Sequence, residues 1–238
     1  ALQISHRGAD VEIDGQLGRH SRFFGNSNPI RRCRAGSQDA RQPGEGAEVE
    51  IKDHGLIKLE DAPLIVLRTP RDVNLSSRGG VFGSVGPGLR TLDLGSAGCG
   101  TWTVGNVEQE AELSVAGSGS VRMGNSRKLK IRIGGSGNVM ARDTADLSIA
   151  IGGSGNVHLN HLNGPAGIRI GGSGDVRIDG GRSESLDVSI AGSGDVRFDG
   201  VVQDISVSVA GSGDIYVREA TGTVSRSVAG SGKLHIGN

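Results

Sequence analysis

Four sets of side chains in this sequence could do chemistry. The first is a run of aspartates, Asp175, Asp195 and Asp214, each following a Gly-Ser-Gly triplet. Oxygen-rich turns of that kind can hold calcium. Calcium-binding solenoids, however, repeat about every nine residues and carry a glycine–aspartate turn on both edges. Here the opposite edge, as in 142–146 or 179–185, has no such turn. The aspartate position also varies from copy to copy, reading Ser120, Asn138, Asn156, Asp175, Asp195, Asp214 and Lys233. No metal or other cofactor is therefore expected. Stacked carboxylates repel, and Arg177 and Arg197, two residues further on, are expected to neutralise them. The second set is His158 and His161. They stand three apart on or just after a strand, face opposite ways and make a poor metal pair.

The third set is Cys33 and Cys99, the two cysteines of the chain. They could bond and pin an N-terminal insertion to the rest of the molecule. They could equally be free thiols, with Cys99 standing in for a serine. The fourth set lies in 16–46, where Arg19, Arg22, Arg31, Arg32, Arg34 and Arg41 face only Asp39 and Glu45, for a net charge of 6 − 2 = +4. Phe23 and Phe24 sit among these arginines. One reading is a surface excursion with no task. The other makes Arg19, Arg22, Phe23, Phe24, Arg31, Arg32 and Arg34 a contact arm for an anionic or protein partner, with cation–π stacking at the phenylalanines.

No catalytic constellation emerges. The sequence holds no nucleophile motif, and no phosphate-binding glycine loop opens a helix. Carboxylates clustered for polysaccharide cleavage would interrupt the repeat described next in two or three adjacent copies, and no such break occurs. The chain is not expected to be an enzyme.

The element that positions these residues is a repeat. Gly-Ser-Gly begins at 117, 135, 153, 172, 192, 211 and 230, at intervals of 18 to 20, and Gly98-Cys99-Gly100 stands 19 before the first. Two residues before each first glycine come Val115, Ile133, Ile151, Ile170, Ile190, Val209 and Val228. Four after it come Val121, Val139, Val157, Val176, Val196, Ile215 and Leu234. Every second residue on both sides of the corner is apolar, which is the period of a half-buried strand. Arg226 breaks one inward column in the last copy. The 13 residues around each corner keep their length, while the segments between, such as 124–128 and 179–185, vary from five to seven and are expected to be return loops. The corner glycines are expected to supply positive φ, and the serines between them to bond along the stack.

A period near 19 fits one coil of a right-handed parallel β-helix, an all-β solenoid with coils of 18–20 residues and Gly-Ser-Gly corners. About ten coils would make a rod of roughly 50 Å. We expect a single β-helix domain over 1–238, with irregular coils over 1–96 (basic insertion 16–46) and regular coils over 97–238. Residues 4–13 echo the later coils. Leu64–Leu67 and 73–75 read as strands about Pro70, 49–59 as a hairpin or bent coil, and 77–85 as an enlarged corner.

Composition agrees. The 26 basic and 26 acidic residues cancel, which excludes a general nucleic-acid binder. Aromatic content is only 3%, and the 42 glycines lack the every-third spacing of collagen. No apolar run is long enough to span a bilayer. An opening at Ala1 that leads within a few residues into strand pattern is what a chain processed after a small-residue site would show.

Ile-Ala-Gly-Ser-Gly-Asp-Val at 190–196, its relatives in the other coils, Gly8–Ile13 and Pro70–Leu75 resemble the auto-transporter adhesin head GIN domain family over most of the chain. That resemblance implies a bacterial extracytoplasmic β-helix, in the periplasm, at the outer-membrane surface or secreted. The expected function is a non-catalytic structural or adhesive solenoid. It would self-associate through its ends, with Leu234, Ile236 and Arg226 as subunit contacts, and would meet a surface polysaccharide or envelope protein. The alternative is a carbohydrate-binding or carbohydrate-active β-helix.

Overall fold

The computed structural model describes residues 3–7, 10–14, 30–34, 46–52, 54–62 and 64–237. Strand content is 67%, arranged as a parallel β-solenoid of about nine turns.

The chain begins with strands β1 (Gln3–Arg7) and β2 (Asp10–Asp14), which pair antiparallel. Strands β3 (Ile30–Arg34), β4 (Glu48–Ile51) and β5 (Gly55–Lys58) form a separate antiparallel sheet. These elements are not solenoid coils, as 4–13 suggested. A parallel return needs a crossover of a dozen or more residues, whereas two residues join β1 to β2 and three join β4 to β5. Leu64–Leu67 is not a strand either. It lies in the exposed connection that follows, with Leu64 88% and Val66 76% accessible and no sheet neighbour.

The solenoid starts at Asp72, within the stretch 1–96 where irregular coils were expected. Each coil places one strand on each of two ladders. The first ladder holds β6 (Asp72–Gly79), β8 (Leu89–Gly98), β10 (Val107–Val115), β12 (Lys128–Ile133), β14 (Leu147–Ile151) and β16 (Ala166–Ile170). The second holds β7 (Gly83–Val85), β9 (Thr101–Val104), β11 (Ser120–Met123), β13 (Asn138–Thr144) and β15 (Val157–Asn163). Two long strands, β17 (Val176–Gly192) and β18 (Val196–Gly211), run through both. Strands β19 (Ile215–Ala220), β20 (Val224–Gly230) and β21 (Leu234–Ile236) complete the last coils. All sixteen belong to one parallel sheet.

The register follows the sequence columns. Leu113 pairs with Ile131, Ile131 with Ile149, and Ile149 with Ile168. On the other ladder Phe198 lies between Ile178 and Val217, and it is fully buried. The apolar columns form one continuous core from Leu89 to Val217. A register slip of one residue would turn a whole column into solvent, which is why these strands keep their length.

The segments expected as return loops form a third, narrow side instead. Strands β17 and β18 pass through it, and β13 and β15 extend into it. It has its own inward column of Ser126, Thr144, Leu162, Ser183 and Val202, all buried. Thr144 Oγ1 donates to the carbonyl of Asp146 at 3.1 Å and Ser183 Oγ to that of Ser185 at 2.8 Å, so these two hydroxyls are satisfied, whereas that of Ser126 has no partner among the described residues. Register shifts between Ile178 and Arg182, and between Phe198 and Val201, absorb the length variation.

The corner glycines serve mainly to let backbones approach. At Gly119 a Cβ would stand 2.5 Å from the Gly100 carbonyl oxygen, and at Gly194 it would overlap that of Gly174. Among the Gly-Ser-Gly corners, positive φ is confined to some first glycines, including Gly192 at 155° and Gly230 at 135°, and Gly194 is not among them. The central serines bond along the stack through the backbone, as in Ser136 N–H to Gly117 O at 2.9 Å.

Candidate functional site

The solenoid offers two outward faces, and both are built from side chains that reach across coils. On the second ladder the Asn/Asp column is a hydrogen-bond ladder. Asn138 Oδ1 accepts the Asn156 N–H at 3.0 Å, and Asn156 Oδ1 accepts the Asp175 N–H at 2.8 Å. Asp175, Asp195 and Asp214 continue it, accepting the N–H of Asp195, Asp214 and Lys233 at 2.9, 2.7 and 2.8 Å. The carboxylates thus satisfy the backbone just past each corner, where regular strand pairing has not resumed.

Arg177 and Arg197 do not neutralise those aspartates as expected. Arg177 Nε donates to Asp179 at 2.7 Å, and a second nitrogen reaches Asp199 at 3.4 Å. Arg197 donates to Asp199 at 2.9 Å. Alternate residues share a face, so the guanidinium reaches the carboxylate two residues on while the earlier one is held by the next coil's N–H. His158 Nε2 lies 2.7 Å from Asp179. Burial pushes the Asp179 carboxyl up, but His158 and Arg177 outweigh it and hold it below its ordinary value. His161 pairs instead with Asp143 at 3.0 Å, one coil back, so the two histidines reach toward different coils, although both lie on the outer surface rather than on opposite faces. Tyr216 stacks on His235 with ring centres 4.6 Å apart. Desolvation and the neighbouring Asp214 and Asp195 carboxylates raise the Tyr216 phenol.

The first ladder's face carries ion pairs across coils: Arg90 with Asp72, Arg71 with Glu108, Lys130 with Glu110, and Arg132 with Glu112. Hydrogen bonds from Arg90 and Thr91 lower Asp72 to about 2. A shallow depression of about 330 Å³ beside this pair is lined by Asp72, Asn74, Thr91, Asp93, Glu110 and Glu112. Most of these carboxylates already hold a cation or an N–H, which leaves little to act on a substrate. Among the described residues, no three of His, Cys, Asp and Glu converge on a metal-sized site.

The expected partner arm falls largely outside the described residues, since Arg19, Arg22, Phe23 and Phe24 lie there. Arg31, Arg32 and Arg34 lie exposed on β3. Arg32 and Arg34 stand opposite Glu50 and Glu48 on β4, with Arg34 3.7 Å from Glu48, so part of the basic charge is compensated. Cys33 and Cys99 form a disulfide with Cα atoms 5.9 Å apart. Arg226, Leu234 and Ile236 share the last coil, where Leu234 is half-buried and the other two are exposed.

The Gly-Ser-Gly corners at 172, 192, 211 and 230, with the Asp ladder that follows them, lie in the stretch for which a known family gives a match. Residues 161–238 match the family "Putative auto-transporter adhesin, head GIN domain". The match holds Asp175, Asp195, Asp214, the Arg177–Asp179–Asp199–Arg197 cluster and the Tyr216–His235 stack, but neither Gly8–Ile13 nor Pro70–Leu75. No curated protein and no solved structure matches the chain. The matched stretch contains the two longest strands, β17 and β18.

Proposed function

We propose that this chain is a non-catalytic, rod-like scaffold of the bacterial cell surface that displays its polar ladders for adhesion. The observation that carries this reading is the distribution of charge. Arg177, Asp179, Asp199, Arg197 and His158 satisfy one another along a flat face rather than converging on a cleft. A catalytic site would concentrate unbalanced groups around one enclosed position. The adhesin-like family supports an extracytoplasmic location. No helix among the described residues is long and apolar enough to cross a membrane. The last coil, with Leu234, Ile236 and Arg226, would be the contact through which copies join. Protease shaving of intact cells, followed by an adhesion assay with and without the chain, tests this. Protection inside intact cells, or adhesion unchanged by deletion, would reject it.

The Tyr216–His235 stack beside Asp214 favours carbohydrate as the second reading. Rings flanked by carboxylates suit a sugar's apolar face and hydroxyls. A glycan array would show ligands lost on Tyr216→Ala, and an array blank for the native protein would remove this reading.

A further inference from the structure

We propose that the Cys33–Cys99 disulfide is the fastener of a detachable cap, the β3–β4–β5 sheet, which is released from the solenoid when an external thiol opens the bond. The sheet is a separate unit, outside the sixteen-stranded one. Its buried residues, Ala47, Val49 and Ile51, stand outside the solenoid's core cluster, and its ladders are antiparallel. It sits over the first corner, where a Cβ on Gly80 would stand 3.1 Å from Val49 Cγ2 and one on Gly79 3.3 Å from Ile30 Cδ1. Two covalent routes tie it to the solenoid. One is the connection 64–71, which is exposed and outside any strand. The other is the disulfide, which joins residues 66 apart and so removes much of the freedom that connection would allow.

Cys99 is out of place as a corner residue. The seven later corners carry serine there, including Ser118, Ser136 and Ser193. The corner therefore does not require the thiol, and the bond to Cys33 does. Both cysteines are half-buried, which leaves the bond open to a small thiol. In the reaction two external thiolates attack in turn. The Cys33–Cys99 bond takes up two electrons and two protons to give two thiols, and the reductant leaves as its own disulfide. Release uncovers Gly79 and Gly80 at the end of β6, a strand that among the described residues pairs on one side only, with β8. Unpaired strand edges accept strands from partners.

The test is hydrogen exchange on the full chain, oxidised and after dithiothreitol, together with Cys99→Ser. That variant installs the residue of the other corners, so the solenoid should fold. Reduction and Cys99→Ser should each speed exchange in 30–34 and 48–58 at least tenfold, with 107–217 unchanged. The emission of Trp102, the single tryptophan, buried over Gly83, should not move. Retained protection in 30–58 would overturn the proposal, because packing alone would then hold the sheet. Loss of protection through the solenoid with a red-shifted Trp102 would also overturn it, making the bond a global staple. Two free thiols in protein purified under oxidising conditions would do the same.

Discussion

At Gly194 the corner's demand is for space. The nearest atoms to an added Cβ are the Gly174 carbonyl oxygen and Ile170 Cγ2, the latter at 3.0 Å. A carbonyl in a stacked backbone cannot move aside without breaking its coil. Gly194→Val should therefore cost a few kcal/mol, roughly 3 or more, while exposed Ser193→Ala should stay within about 0.5 kcal/mol. Urea melts of the two variants check this, and equal midpoints would mean the corner is not a close approach. Asp195 makes a second case. Its Oδ1 accepts the Asp214 N–H at 2.7 Å, a role the amide oxygen of asparagine fills at Asn138 and Asn156. Asp195→Asn should be nearly neutral and Asp195→Ala should lose about 1 kcal/mol. A calcium site would reverse this order of interest, since calcium would stabilise only the native protein in a thermal melt. The alternation of Val and Ile was legible in the sequence because burial imposes a period of two. The role of Asp195 was not, because aspartate advertises its charge, and the N–H it serves lies one coil away.

Between elements, the first coil is tied to the next by a clasp. Asp72 at the start of β6 accepts from Arg90 and from Thr91, the latter at 2.8 Å. The arginine and the threonine lower the carboxyl from 3.8 to about 2. A depressed pKa stabilises the folded state by an amount fully present above the unfolded value, near 3.8, and lost as pH falls through about 2. Exchange protection of β6 should accordingly weaken between those limits. Asp72→Asn should be insensitive to that range, and an identical acid profile for both proteins would disprove the clasp. Element boundaries were legible where the columns were strict. In 179–185 polar residues such as Arg182, Ser183 and Glu184 give the pattern of a loop, yet Ser183 points inward and is buried. Residues 8–13 misled in the opposite direction. They share the Asp-Val motif of the coils, but strand direction is set by the two-residue connection, not by the motif.

Across the whole molecule, the nine coils do not end alike. At the first coil the β3–β4–β5 sheet lies over the corner, and Val73 and Leu75 are half-buried. At the last, β20 pairs only with β18 and β21 only with β19 among the described residues. Val224 and Ile236 are each 43% exposed, in columns whose earlier members, Ile205 and Val217, are 2% exposed. Such an edge offers unpaired N–H and C=O groups together with apolar side chains, and it adds strands readily. Arg226 stands where Val207 is buried one coil earlier, so one inward charge opposes unlimited stacking. The two effects together favour a closed pair of end faces over a propagating fibre, because a closed pair satisfies both edges once and needs no further copy to be added. In sedimentation the protein should form a concentration-dependent dimer. Ile236→Lys should return it to monomer without loss of solenoid stability, since that side chain is already outside the core. Arg226→Val should shift the population toward larger species. A wild-type chain that stays monomeric at high concentration, with Ile236→Lys indistinguishable from it, would show that these last strands are not a subunit contact.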